Sequence, residues 1–119
     1  MGFDAEVLDQ LRTTEEVRIH TGMALDKSVI IWVVVADNDV FIRSVRGPKG
    51  RWYKTASAEG QATLEVGDRR IRVRVTAATD DASVERASRE FLAKYSPSPY
   101  APMMARPEVL ETTLRLEPL

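Results

Sequence analysis

Between positions 43 and 54 the sequence gathers residue types that hold an anion: Arg43, Ser44, Arg46, Lys49, Arg51 and Lys54, around the loop Gly47-Pro48-Lys49-Gly50. A guanidinium fork grips phosphate or carboxylate bidentately. A hydroxyl and the backbone N–H groups of a glycine-containing loop can complete the cradle. Trp52 and Tyr53 stand in the same run and offer flat faces for stacking an aromatic ring. Basic residues interleaved with aromatics suit a small anionic or nucleotide-like ligand. The spacing is not that of a Walker loop, because the GxxxxGK[ST] pattern is missing. A charged hairpin loop anchored in the core by Trp52 accounts for the same residues without a ligand.

The other candidates are weaker. His20 is the only histidine and could act as a proton donor or bond a ligand's polar edge, although such a residue is more often simply solvated or bonded to a backbone carbonyl. Asp37 and Asp39 are close in sequence but read as turn residues. Arg70, Arg72 and Arg74 share one strand face, which reads as a solvated surface or a subunit rim. Nucleic acid is not expected as a partner, since the net charge is -1 from 17 basic and 18 acidic residues and no recognition motif is present. Tyr100, Met103 and Met104 read as core-sealing residues that could also cover a pocket. The absence of cysteine excludes disulfides, thiolate metal sites and thiol nucleophiles, and a single histidine excludes a polyhistidine centre within one chain. No run approaches the ~20 apolar residues that span a bilayer. The start, MGFDAEVLDQ, lacks the basic and apolar regions of a signal peptide, so a cytoplasmic protein is expected.

The elements that must position these residues follow from periodicity. Phe3, Val7, Leu8 and Leu11 predict a helix over Asp4–Leu11. Val17 and Ile19 alternate with polar residues in a strand that ends near Gly22. The apolar run Val29–Val35 predicts a strand covered on both faces. Ala36 to Asp39 turns the chain, with Asn38 suited to left-handed geometry, and Val40–Val45 returns as the second strand of a hairpin. Arg51–Lys54 reads either as a further strand or as the start of a short helix reaching Glu59. Ala62, Leu64 and Val66, then Ile71, Val73 and Val75, form a second hairpin about Gly67-Asp68. Asp80 or Asp81 opens a helix that closes at Lys94, a cation placed as the helix dipole prefers, before Pro97 and Pro99. The proline-rich stretch 96–107 reads as a fixed crossover. Alternation from Leu110 to Leu116 predicts a last strand that completes the sheet. A chain of 119 residues forms one domain, 1–119, with a core modest enough for a second subunit to cover apolar surface. So many strands with so few helices favour closure into a barrel.

The run from Ile31 to Ala56 resembles an uncharacterised bacterial domain-of-unknown-function family related to the FMN-binding split barrels. The matching residues are Trp32, Arg43-Ser44, Gly47 and Gly50-Arg51-Trp52-Tyr53. The wider group includes pyridoxamine-phosphate oxidases and deazaflavin-dependent nitroreductases. The resemblance implies a mainly β fold: a six-stranded antiparallel split barrel with a short N-terminal helix and one longer helix after the second hairpin. It also implies a homodimer that holds FMN or a related flavin near the subunit interface and serves as a small oxidoreductase. Arg43, Ser44, Arg51 and Lys54 match positions that hold the cofactor phosphate, and Trp52-Tyr53 is similar to a tryptophan–tyrosine pair of the nitroreductase branch. The segment 20–27 departs from that branch, offering only Lys27 where a basic, glycine-rich stretch is usual. The alternative is a non-catalytic barrel without a cofactor, binding another anionic molecule or serving a structural role.

Overall fold

The computed structural model describes residues 2–21 and 28–119. Gly22, where a turn is expected, and Lys27, the cation of the departing segment, lie outside the described residues. The strands are β1 (Glu16–His20), β2 (Ser28–Ala36), β3 (Asp39–Ile42), β4 (Gln61–Val66), β5 (Arg69–Ala77) and β6 (Leu114–Pro118). They close into an antiparallel barrel in the order β1-β2-β3-β6-β5-β4. The mainly β, six-stranded antiparallel barrel expected from the sequence is therefore present. Closure gives every strand a partner on both sides over part of its length, and β6 achieves it by entering between β3 and β5.

Alternation builds the interior. Val17 and Ile19 of β1, Val33 and Val35 of β2, Val40 and Ile42 of β3, and Leu114 and Leu116 of β6 share one apolar cluster. Helix α1 (Ala5–Thr13) adds Val7, Leu8 and Leu11 to that cluster, and α2 (Arg51–Glu59) adds Trp52 and Ala56. Asp4 caps α1 as its position suggests, accepting the Val7 N–H at 2.9 Å. A second apolar layer lies outside the barrel. Val34, Ala36 and Phe41 face out from β2 and β3 and are covered by Ala87 and Phe91 of α3 (Asp81–Lys94), by Tyr95, and by Ala101 and Met104 of the crossover.

Both hairpins turn on a left-handed first residue: Asp37 and Gly67 each have φ of 57°. The left-handed position of the first turn is thus Asp37 rather than Asn38. An aspartate tolerates it, and Arg12 from α1 fixes the turn by donating to the Asp37 carbonyl at 2.7 Å.

Two boundaries differ from the sequence expectation, and of the two readings open for Arg51–Lys54 the helix is the one present. The return strand stops at Ile42 instead of Val45, because Arg43 points out of the barrel and is gripped there by other elements. Arg51–Glu59 is a helix, ended by Gly60 at φ 71°. The last strand starts at Leu114, not Leu110: Leu110 closes α4 (Pro107–Leu110), and the buried Thr112 and Thr113 hydroxyls donate back to the Val109 and Leu110 carbonyls at 2.6 and 2.7 Å. Among the described residues no helix is long and apolar enough to cross a membrane.

Candidate functional site

The early end of β3 leaves β2 with two kinds of neighbour. Residues 33–36 pair with β3, whereas residues 28–32 pair with β1 alone. Beyond Ile42 the chain leaves the sheet, makes a 3-10 turn at Gly47–Lys49 and enters α2. The gap between the unpaired edge of β2 and this departing segment is a cavity of about 510 Å³, within the range of small-molecule sites. Val29, Ile30 and Ile31 line it together with Trp32 and Trp52, Tyr100 and Met104 come from the crossover, and its charged groups are Glu16, Arg43, Arg46 and Arg51. The apolar run of β2 is therefore not covered on both faces throughout: Val29 and Ile30 remain 43% and 50% exposed.

Arg43 and Ser44 form the inner wall, with their side-chain donors taken up by protein groups. Arg43 is 1% exposed. Its Nε donates to Thr113 Oγ1, Nη1 to the Met104 carbonyl, and Nη2 to the Val84 carbonyl and Ser88 Oγ, each at 2.9 Å. The guanidinium carbon stands 5.2 Å from the Phe91 ring centre. No carboxylate pairs with it among the described residues. Burial lowers its pKa to about 10, so it remains a cation at neutral pH, ties α3 to the crossover, and adds positive potential behind the cavity. Ser44 Oγ donates to the Gly47 carbonyl at 2.9 Å, and the Ser44 N–H donates to Thr112 Oγ1 at 2.9 Å. Gly50 closes this corner. A Cβ there would lie 2.4 Å from Ser44 Oγ, so any larger residue would have to displace that hydroxyl.

The exposed cations stand at the mouth. Arg46 precedes the 3-10 turn and Arg51 opens α2. Helix α2 follows Gly50, has no side-chain cap and carries no acidic residue in its first turn, so its N-terminal amides keep their positive potential. Trp52 reaches the barrel core at 9% exposure and meets Tyr53 edge-on, with ring centres 6.3 Å apart. Trp32 stacks on Tyr95 at 4.0 Å with 2° between the planes. Tyr95 Oη donates to the Glu15 carbonyl and lies 3.1 Å from both the N–H and the carbonyl oxygen of Val33, and burial pushes its pKa up to about 12.

Of the residues proposed from sequence, Arg43, Ser44, Arg51 and Trp52 meet at this cavity, while Tyr53 and Lys54 are not among its lining residues. Sequence reasoning did not single out Glu16, Val29 or Ile30. Glu16 resembles any outward residue of a half-buried strand, and Val29 and Ile30 read as part of a run covered on both faces. The other candidates lie elsewhere. His20 Nε2 is 3.0 Å from Glu65 Oε1 across the β1–β4 pair. Asp37 and Asp39 are held in their turn by Arg86, at 3.4 and 3.0 Å. Arg70, Arg72 and Arg74 are exposed, with Arg70 3.6 Å from Glu65 and Arg72 donating to Gln61 at 3.1 Å.

The architecture recurs in solved structures. ChuZ of Campylobacter jejuni superposes with a TM-score of 0.70 at 12% identity, over 95% of this chain and 51% of that one. The conserved hypothetical protein Rv2991 of Mycobacterium tuberculosis gives 0.64 at 10% identity, over 100% and 81%. Atu2129 of Agrobacterium tumefaciens, of unknown function, gives 0.64 at 11% identity, over 96% and 54%. The chain thus spans about half the length of the ChuZ and Atu2129 chains. At these identities the likeness is one of fold. No curated protein matches the sequence. Residues 7–116 match the family described as uncharacterized protein conserved in bacteria (DUF2255), and the chain belongs to that family.

Proposed function

We propose that this cavity binds FMN or a related flavin, with the phosphate at Arg46 and Arg51. One arrangement carries the reading: two exposed guanidinium groups and an uncapped helix N-terminus flank an apolar wall that contains Trp32 and Trp52. The residues fit such a ligand in volume, charge and shape. Three guanidinium groups against one carboxylate favour an anion. Arg51 and Trp52 keep the roles suggested by sequence, and Arg46 joins them. Arg43 and Ser44 support the wall, and Arg43 contributes charge from behind it. The flavin supplies redox chemistry when bound, and the protein binds it, orients it and shields it from water. No side chain needs to act as an acid or base, so oxidoreductase activity belongs to this proposal.

The same proposal includes a homodimer in a cytoplasmic setting. Six large apolar side chains are strongly exposed among the described residues, and four of them, Val29, Ile30, Val45 and Tyr100, line the cavity. A second copy over the mouth would bury them and exclude water from the ligand.

FMN titration monitored by flavin absorbance and tryptophan fluorescence tests the reading, beside the solution mass. Micromolar binding that weakens at least tenfold in the Arg46→Ala/Arg51→Ala variant supports it. No binding by the unmodified protein at tens of micromolar overturns it and leaves the non-catalytic barrel. A monomeric mass with and without FMN overturns the dimer.

A further inference from the structure

The flavin reading explains the cations at the mouth but not Glu16, the only carboxylate among the residues that line the cavity. For a simple anion this group is a liability, because it repels the charge that Arg46 and Arg51 attract. Its position suggests a different use. Glu16 pairs with Trp32 across the β1–β2 ladder. Since Val17 and Ile31 point into the barrel, Glu16 and Trp32 lie side by side on the outer face. Strand β1 and the segment carrying Arg46 and Arg51 flank β2 on opposite sides. The carboxylate and the cations thus stand on opposite sides of β2, with apolar and tryptophan surface between them. No hydrogen bond or ion pair engages the Glu16 carboxylate among the described residues. Its backbone is nevertheless fixed, because Tyr95 Oη donates to the carbonyl of Glu15 and lies 3.1 Å from the Val33 N–H on the adjacent strand. A free carboxylate on a rigid strand, across a flat wall from a cation pair, suits a ligand that is anionic at one end and carries a hydrogen-bond donor at the other.

We infer that Glu16 is the specificity-determining residue of the cavity and accepts a hydrogen bond from the imide N–H at the pyrimidine edge of the flavin. The inference rests on the flavin reading. It deepens that reading by assigning the orientation of the ring, with the pyrimidine edge toward β1. A site built to accept a hydrogen bond discriminates against an analogue that lacks the donor, whereas a merely stacking site does not.

The test compares FMN with FMN methylated at the imide nitrogen, by equilibrium titration of the wild-type protein and of Glu16→Ala. Wild type is expected to bind the methylated ligand roughly 10- to 100-fold more weakly, the size of a lost hydrogen bond to a charged acceptor. Glu16→Ala is expected to bind both ligands alike, at the weaker level, with an unchanged melting temperature because the side chain is exposed. Equal binding of the two ligands by wild type, or discrimination kept by Glu16→Ala, overturns the inference and leaves flavin binding intact. Failure of wild type to bind FMN overturns the flavin reading itself, and the inference with it.

Discussion

The ammonium of Lys94 donates to the carbonyl oxygen of Leu11 at 2.8 Å, so the last residue of α3 closes the C-terminal end of α1, 83 positions earlier. The same Nζ donates to the Val33 carbonyl at 2.7 Å and lies 5.3 Å from the Tyr95 ring centre. One half-buried cation thereby joins two helices to β2 through backbone acceptors. Neighbouring Tyr95 satisfies the rest of that β2 position. Together the two side chains bond the β2 backbone just beyond its last pair with β1, Glu16 with Trp32.

Burial pulls Lys94 down to about 8, against a smaller opposing effect of Glu15. Between pH 8 and the ordinary lysine value near 10.4, the unfolded chain binds more protons than the folded one, so this group makes stability rise with pH. Tyr95 has the opposite sign. Its pKa near 12 exceeds the ordinary value near 10, so its contribution is full below pH 10 and is lost as pH rises through 12. Urea unfolding across this range is expected to show the wild-type advantage over Lys94→Met growing from pH 8 to 10.4. The advantage over Tyr95→Phe should shrink from pH 10 to 12. A flat difference in either series contradicts the assignment.

Replacing Arg43 should damage the fold. A lysine cannot reach Thr113, Ser88 and two carbonyls at once, and each buried group left unsatisfied costs about 1–3 kcal/mol. Arg43→Lys is expected to lose about 3 kcal/mol or more in chemical denaturation. A change below about 0.5 kcal/mol would mean that the guanidinium is dispensable to the packing of α3.

Gly50 and Ser44 should behave as a coupled pair. At φ -59° and ψ 131° the Gly50 backbone suits alanine, so the obstacle to Gly50→Ala is the Ser44 hydroxyl alone. Gly50→Ala is expected to destabilise by about 1–3 kcal/mol. Added to Ser44→Ala, the same change should cost less, leaving a coupling of about 1 kcal/mol in a double-mutant cycle. Additive effects would place the strain elsewhere.

A charge at the apolar rim separates association from folding. Ile30→Asp and Val45→Asp substitute side chains that are 50% and 52% exposed, so their cost to the monomer should stay within about 0.5 kcal/mol. If a second copy covers the mouth, either variant shifts the solution mass to the monomer. A dimer that survives both uses another face.

Much of this molecule is legible in its sequence because the signals are local. Alternation in Val17-Ile19, Leu64-Val66 and Val73-Val75 gives the strands their inward faces, and the turns at 37–38 and 67–68 give the hairpins their registers. The site is less legible because its determinants are not local. Arg43 looks like a ligand for phosphate until the carbonyls of Val84 and Met104, 41 and 61 positions away, are brought to it. The strand from Val40 looks as if it should reach Val45, and only the grip on Arg43 and the turn at Gly47 show why it stops at Ile42. Glu16 carries no sequence signal at all, since its significance depends on which segment lies across β2.

The insertion of β6 between β3 and β5 also sets the order in which the protein can become itself. Until residues 114–118 arrive, β3 and β5 each present an open row of backbone groups, and the second apolar layer lacks the crossover that completes it. Folding therefore depends on contacts well separated in sequence, such as Val40 with Leu116, a topology associated with rates of milliseconds to seconds. The half-made sheet is meanwhile a template for other strands, and prompt arrival of one five-residue segment is its protection against misassembly.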